Sequence, residues 1–152
     1  MGANYGQLRQ LAENLHRAEQ GMTEFKRQLA LGEGLYAVKQ AKKICTDEDI
    51  IDTGNLRRSY HTDPNPMITP NTLRIDVHNS AKYASDVEYG HIVVRRGSTD
   101  LQQRRHEAML NGRFVRGKYV LTRAIQRTLE TQRARIGRKL NRYVKQFFGG
   151  GA

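Results

Sequence analysis

Glu88 and His91 stand three residues apart across Gly90, a spacing at which a carboxylate and an imidazole could share a proton as an acid–base couple. Hydrolysis would also need a nucleophile. None accompanies the pair in sequence, so Ser59 or Ser80 would have to be brought in by folding. The plainer reading pairs Glu88 with a nearby cation such as Arg57 and carries more weight. The five histidines, His16, His61, His78, His91 and His106, are scattered singly. They lack the paired ligands and cysteine or carboxylate support of a zinc site. Around Gly112, Gly117 and Lys118 the Gly-x-x-x-x-Gly-Lys-Ser/Thr spacing of a phosphate loop fails. Cys45 is the one cysteine; it excludes an internal disulfide and reads as a small apolar residue on a helix face. The sequence therefore leads us to expect no catalytic residues, no metal, no cofactor and no small-molecule substrate.

Charge is the second chemical signal. The formal net charge is +11, and residues 92–152 hold 15 of the 26 basic side chains but only 3 of the 15 acidic ones. Arg95, Arg96, Arg104, Arg105, Arg113 and Arg116 gather around one polar stretch, and Arg127, Arg135 and Arg138 recur further on. Arginine suits bidentate contact with phosphate or carboxylate, so these are candidates for facing DNA or an acidic neighbour. No base-reading motif accompanies them. The solvated or subunit-facing surface is the favoured reading, and a free-standing basic nucleic-acid module is the alternative. No run approaches the roughly 20 apolar residues that span a bilayer, and no signal peptide opens the chain. A soluble protein made inside a cell is expected.

These side chains need elements to position them. Leu8, Leu11, Leu15, Ala18, Met22, Phe25 and Leu29 recur at spacings of three and four, which predicts a helix over residues 7–31 with a heptad seam. Gly32 and Gly34 are expected to weaken or kink it before a second amphipathic piece through Cys45, completing a helical part over 1–48. Asp52-Thr53-Gly54 opens a short helical turn through Leu56 and Arg57, with Thr53 as its cap. Leu73, Ile75 and Val77 alternate with polar residues, which predicts one half-buried strand over 72–78. Asn79 or Ser80 is placed to cap the next short helix, whose apolar face is Tyr83, Ala84 and Val87 and which stops at Gly90. Ile92 to Val94 suggests a short strand. Residues 95–113 form a long polar arm or loop. A last helix runs from about Lys118 to Phe147, with Gly137 as its soft point, and 149–152 is a flexible tail.

Three of these stretches occur in an order that resembles a known family. A helix leads into Asp52-Thr53-Gly54-Asn55-Leu56-Arg57-Arg58-Ser59. A strand is followed by Asn79 and then by Tyr83-Ala84 to Val87-Glu88-Tyr89-Gly90-His91. Gly112-Arg113-Phe114-Val115-x-Gly117-Lys118-Tyr119-Val120-Leu121-Thr122-Arg123-Ala124 opens the terminal helix. Together they make the chain similar to the neck, or tail-completion, family of long-tailed double-stranded DNA bacteriophages, the small head–tail connector proteins. The resemblance spans roughly residues 33–130. It departs from the family at residues 49–51, Asp-Ile-Ile, where a proline is common, and in the long arginine-rich arm.

The resemblance implies a homo-oligomeric ring in the virion neck, assembled in the host cytoplasm. Such a ring joins the portal or head-completion proteins to the tail-terminator or tail-tube proteins around the DNA channel, with no membrane partner. In that picture Thr53, Gly54, Leu56, Arg57, Ser59, Asn79, Tyr83, Ala84, Val87, Glu88, Gly90 and His91 are scaffold. Leu8, Leu11, Leu15, Met22, Phe25, Leu101 and Met109 are candidates for subunit contact. The expected fold is α+β, one domain over 1–152, with a long N-terminal helix, a small mostly antiparallel sheet crossed by a short helix, and a long basic C-terminal helix.

Overall fold

The computed structural model describes residues 4–50, 54–93 and 113–149. Thr53, Val94 of the expected short strand, residues 95–112 of the expected arm, and residues 150–152 of the tail lie outside them, and with the arm go Leu101, Met109, Arg95, Arg96, Arg104 and Arg105.

The N-terminal helix, α1, runs uninterrupted over Tyr5–Asp47. The helix continues through Gly32 and Gly34, the expected site of a weakening or kink, and packing accounts for at least one of the two. A Cβ on Gly34 would press into the Thr62 side chain and lie 2.8 Å from Ile75 Cγ1, while one on Gly32 would meet Lys139 Nζ at 2.5 Å. Gly34 admits a neighbour to the helix surface, which offsets a propensity cost of about 1 kcal/mol, whereas the atom facing Gly32 is the end of a flexible lysine side chain that can move aside. At 1.5 Å per residue α1 is roughly 65 Å long, and a second helix braces most of it.

Six short strands and two short helices follow: α2 (Asn55–Arg58), β1 (Tyr60–Thr62), β2 (Met67–Ile68), β3 (Leu73–Arg74), β4 (Val77–Asn79), α3 (Ala84–Tyr89), β5 (Gly90–Val93) and β6 (Arg113–Arg116). The last helix, α4, spans Val120–Phe148. The α+β architecture is the expected one. Its strands form three separate antiparallel pairs, β1 with β4, β2 with β3 and β5 with β6. The single strand expected over 72–78 is therefore split. The Asp76 carbonyl accepts hydrogen bonds from the Asp63 amide (3.0 Å) and from Thr62 Oγ1 (2.9 Å), so the chain changes partner strand around Ile75 and Asp76.

α4 lies antiparallel to α1. Near one end Tyr143 donates to the Ala18 carbonyl at 2.6 Å and stacks on Phe25 at 4.3 Å; near the other, Arg123 clasps Glu48. The core sits at the latter end, where Val38, Ala41, Ile44 and Cys45 of α1 meet Leu56, Tyr60, Ala81, Val120 and Ala124. Full burial of each large aliphatic there contributes about 1.5–3 kcal/mol. Cys45 is fully buried among them, and burial pushes its thiol pKa up, as an apolar packing role requires.

Candidate functional site

The three motif stretches converge on one junction. α2 opens at Gly54, whose φ of 75° is the left-handed conformation that favours glycine. Leu56 from that turn is buried, and its carbonyl accepts a hydrogen bond from Asn79 Nδ2 at 2.8 Å. Asn79 Oδ1 accepts from the Ala81 amide at 2.8 Å. Asn79 therefore ties the turn before α3 to α2 rather than capping α3, whose N-cap position is Tyr83 with no side-chain cap. Arg57 donates to Thr46 Oγ1 at 3.2 Å, and the Ser59 carbonyl accepts from the Ser80 amide at 3.1 Å. Tyr83 is exposed, while Ala84 and Val87 pack against the core.

Glu88 is the pivot of the junction, and its role differs from both sequence readings. Its carboxylate accepts from the Leu121 amide (2.8 Å), the Thr122 amide (2.9 Å) and the Thr122 hydroxyl (2.7 Å). Glu88 is thus a buried cap on the N-terminus of α4, where a negative charge meets the helix dipole and otherwise orphaned amides. It does not pair with Arg57. Nor does it form a couple with His91, which lies exposed on β5. The Lys118 amide donates to the Val87 carbonyl at 2.7 Å and the Tyr119 amide to the Glu88 carbonyl at 3.2 Å. The buried Tyr60 hydroxyl has its pKa pushed up, first by desolvation and then by the neighbouring Cys45 and Glu88.

From this rigid root projects the β5–β6 ribbon. Its register is Gly90↔Arg116, His91↔Val115, Ile92↔Phe114 and Val93↔Arg113. Gly90 has φ 92°, and an added Cβ would lie 2.5 Å from the Val115 carbonyl oxygen. Beyond Gly90 every described residue of the ribbon is exposed on both faces: Phe114 is 61% and Ile92 49% accessible, and Arg113 and Arg116 are exposed too.

The expected contact residues of α1 divide. Leu8, Leu11 and Leu15 are exposed. Phe25 is not available to a neighbour, because it stacks on Tyr143 of its own chain, and Met22 is half-buried at the edge of a groove. The heptad seam thus serves the chain itself from Ala18 onward, where α4 reaches it.

The arginines divide as well. Arg135 faces neither DNA nor a neighbour. Its guanidinium donates to both carboxylate oxygens of Glu33 (3.2 and 2.6 Å) and lies 3.7 Å from the centre of the Tyr36 ring. The side chains of this pair are only 12% and 8% exposed. Arg138 is exposed and Arg127 half-buried. Arg133, Arg142 and Lys145, absent from the candidate set, are exposed on the same helix and make no ion pair or side-chain hydrogen bond among the described residues. Ile125, Leu129, Leu140 and Val144, read from the sequence as part of the apolar stripe of the last helix but not set among the contact candidates, stay exposed, as does Phe148. The available signal was an apolar stripe on α4 wider than one neighbouring helix can bury.

Neither the family models, the curated proteins nor the solved structures compared with this chain give a match. Among the described residues no group of three or more His, Cys, Asp or Glu is placed to hold a metal ion, and no helix is long and apolar enough to cross a membrane.

Proposed function

We propose that this protein is a non-enzymatic structural component of a virion neck, assembling with copies of itself into a ring that joins the capsid portal to the tail. The resemblance of the three motif stretches supplies the setting. The β5–β6 ribbon is the observation that carries the reading. A two-stranded ribbon is marginal in water by itself. This one holds Ile92, Val93, Phe114 and Val115 in solvent while its root is fixed by Glu88 and Gly90. An arm rigid at its base and apolar at its surface suits contact with a neighbouring subunit, and self-closing contacts of that kind generate rings.

A second reading, a free-standing module that binds nucleic acid without sequence preference, is favoured by the exposed cations Arg133, Arg138, Arg142 and Lys145 on α4, which have no ion-pair partner among the described residues. Sedimentation and imaging of the full chain separate the two. The neck reading expects a discrete closed oligomer, alone or on a portal or tail particle. A monomer that joins no such particle and retards duplex DNA in a gel at physiological salt would replace it with the second.

A further inference from the structure

The sequence scatters the histidines singly, but folding sets two of them side by side. His61 of β1 and His78 of β4 stand directly opposite in the antiparallel register. Their rings lie 3.9 Å apart, centre to centre, with an angle of 66° between their planes. Both are exposed, while Tyr60 beside them is buried and Thr62, Val77 and Asn79 are half-buried, so the pair occupies the solvent face of the ribbon. A pair of rings across two strands is ordinarily packing alone. A further contact sets this one apart.

His61 Nδ1 lies 2.8 Å from the Ser59 carbonyl oxygen. A carbonyl only accepts, so Nδ1 carries the proton and Nε2 keeps its lone pair. Metal-binding histidines are held in this way, one ring nitrogen donating to a backbone carbonyl while the other takes the ion. The ring of His78 touches His61 and makes no side-chain hydrogen bond among the described residues, so it is free to turn. Two nitrogens bound at about 2.1 Å to one ion stand about 3 Å apart, a spacing that a turn of His78 supplies. Charge beside the pair leans toward a cation. Two residues further along the strands come Asp63 and Asp76, joined through their backbones at 3.0 Å. Arg74 neutralises Asp76 at 3.0 Å, whereas Asp63 has no ion pair among the described residues and accepts only the Asn65 amide at 2.8 Å. Neither carboxylate completes a set of three ligands.

We propose that His61 and His78 form an open surface site for a divalent transition-metal ion, bound through Nε2 of His61 and a ring nitrogen of His78, with water in the remaining positions. Neutral imidazoles select late first-row ions, copper ahead of nickel and zinc, over magnesium and calcium, which take oxygen ligands. The site does not depend on the assembly reading above, since it lies within one chain.

Isothermal titration of the untagged full chain with Ni²⁺ is the test. The wild type should take up one ion per chain. His61→Ala and His78→Phe should each weaken that uptake by about tenfold or more, because a chelate needs both nitrogens. His78→Phe keeps a ring at the cross-strand position, so a role in packing alone would leave its thermal midpoint without metal unchanged and its response to Ni²⁺ equal to that of the wild type. The proposal expects Ni²⁺ to raise the midpoint of the wild type and not of either variant. His16→Ala, which removes a lone exposed imidazole on α1, should bind as the wild type does. Bound Cu²⁺ should show electron spin coupling to two imidazole nitrogens. The site is refuted if the wild type takes up no Ni²⁺, if either variant at the pair keeps full affinity, if His16→Ala loses as much, or if Cu²⁺ couples to one nitrogen only.

Discussion

Glu88 links the short helix α3 to the start of α4 through one carboxylate and three donors. Removing it orphans two backbone amides at a buried helix end. Glu88→Ala should lower the unfolding free energy in urea by about 2–3 kcal/mol, and Glu88→Gln by less, because the amide oxygen still accepts. An unchanged midpoint in both would mean that water replaces the cap. Arg135 and Glu33 make the stronger claim. With the guanidinium gone, Glu33 keeps among the described residues only Lys139 at 3.7 Å, so Arg135→Met should cost about 2–4 kcal/mol. An arginine serving an exposed ligand surface would cost almost nothing when replaced. Neither role was legible in the sequence. Glu88 meets partners more than thirty positions away and Arg135 meets one 102 away, and nothing local marks a charged residue as inward-facing.

The elements themselves were far more legible than the roles of single residues. α1 and α4 are visible in apolar spacing because a long amphipathic helix repeats its signal over many turns. The strand over 72–78 misled because Leu73, Ile75 and Val77 alternate as one strand would, while the partner strands change at Asp76. The glycines misled for a related reason. Propensity sees Gly32, Gly34 and Gly137 alike, whereas space differs around each. A Cβ on Gly34 collides with Thr62 and Ile75, and one on Gly137 meets nothing within 4 Å. Gly34→Ala should therefore destabilise by about 1–2 kcal/mol despite its better helix propensity, and Gly137→Ala should stabilise by about 0.5–1 kcal/mol. Thermal midpoints moving in the same direction for both would contradict this account.

The whole molecule is a long hairpin of two helices clasped at both ends, by Tyr143 on Ala18 and by Arg123 on Glu48. Hydrogen bonds from Arg123 hold the Glu48 carboxyl below its usual range, with Lys118 and Arg127 adding to the effect. A carboxyl depressed by folding contributes stability above its unfolded pKa, near 4.3, and loses it as pH falls through the lower folded value. The thermal midpoint of the wild type should therefore exceed that of Glu48→Gln at pH 6, and the gap should close as pH falls toward 3. A gap independent of pH would remove the clasp from the account. The hairpin also has a consequence during synthesis. Ala18 and Phe25 wait for Tyr143, so the apolar seam of α1 leaves the ribosome more than a hundred residues before its cover does. At 5–20 residues per second that interval lasts several seconds or longer. A nascent chain in this state is a natural client for a holdase, and stalled products ending before α4 should accumulate as aggregates rather than as soluble fragments.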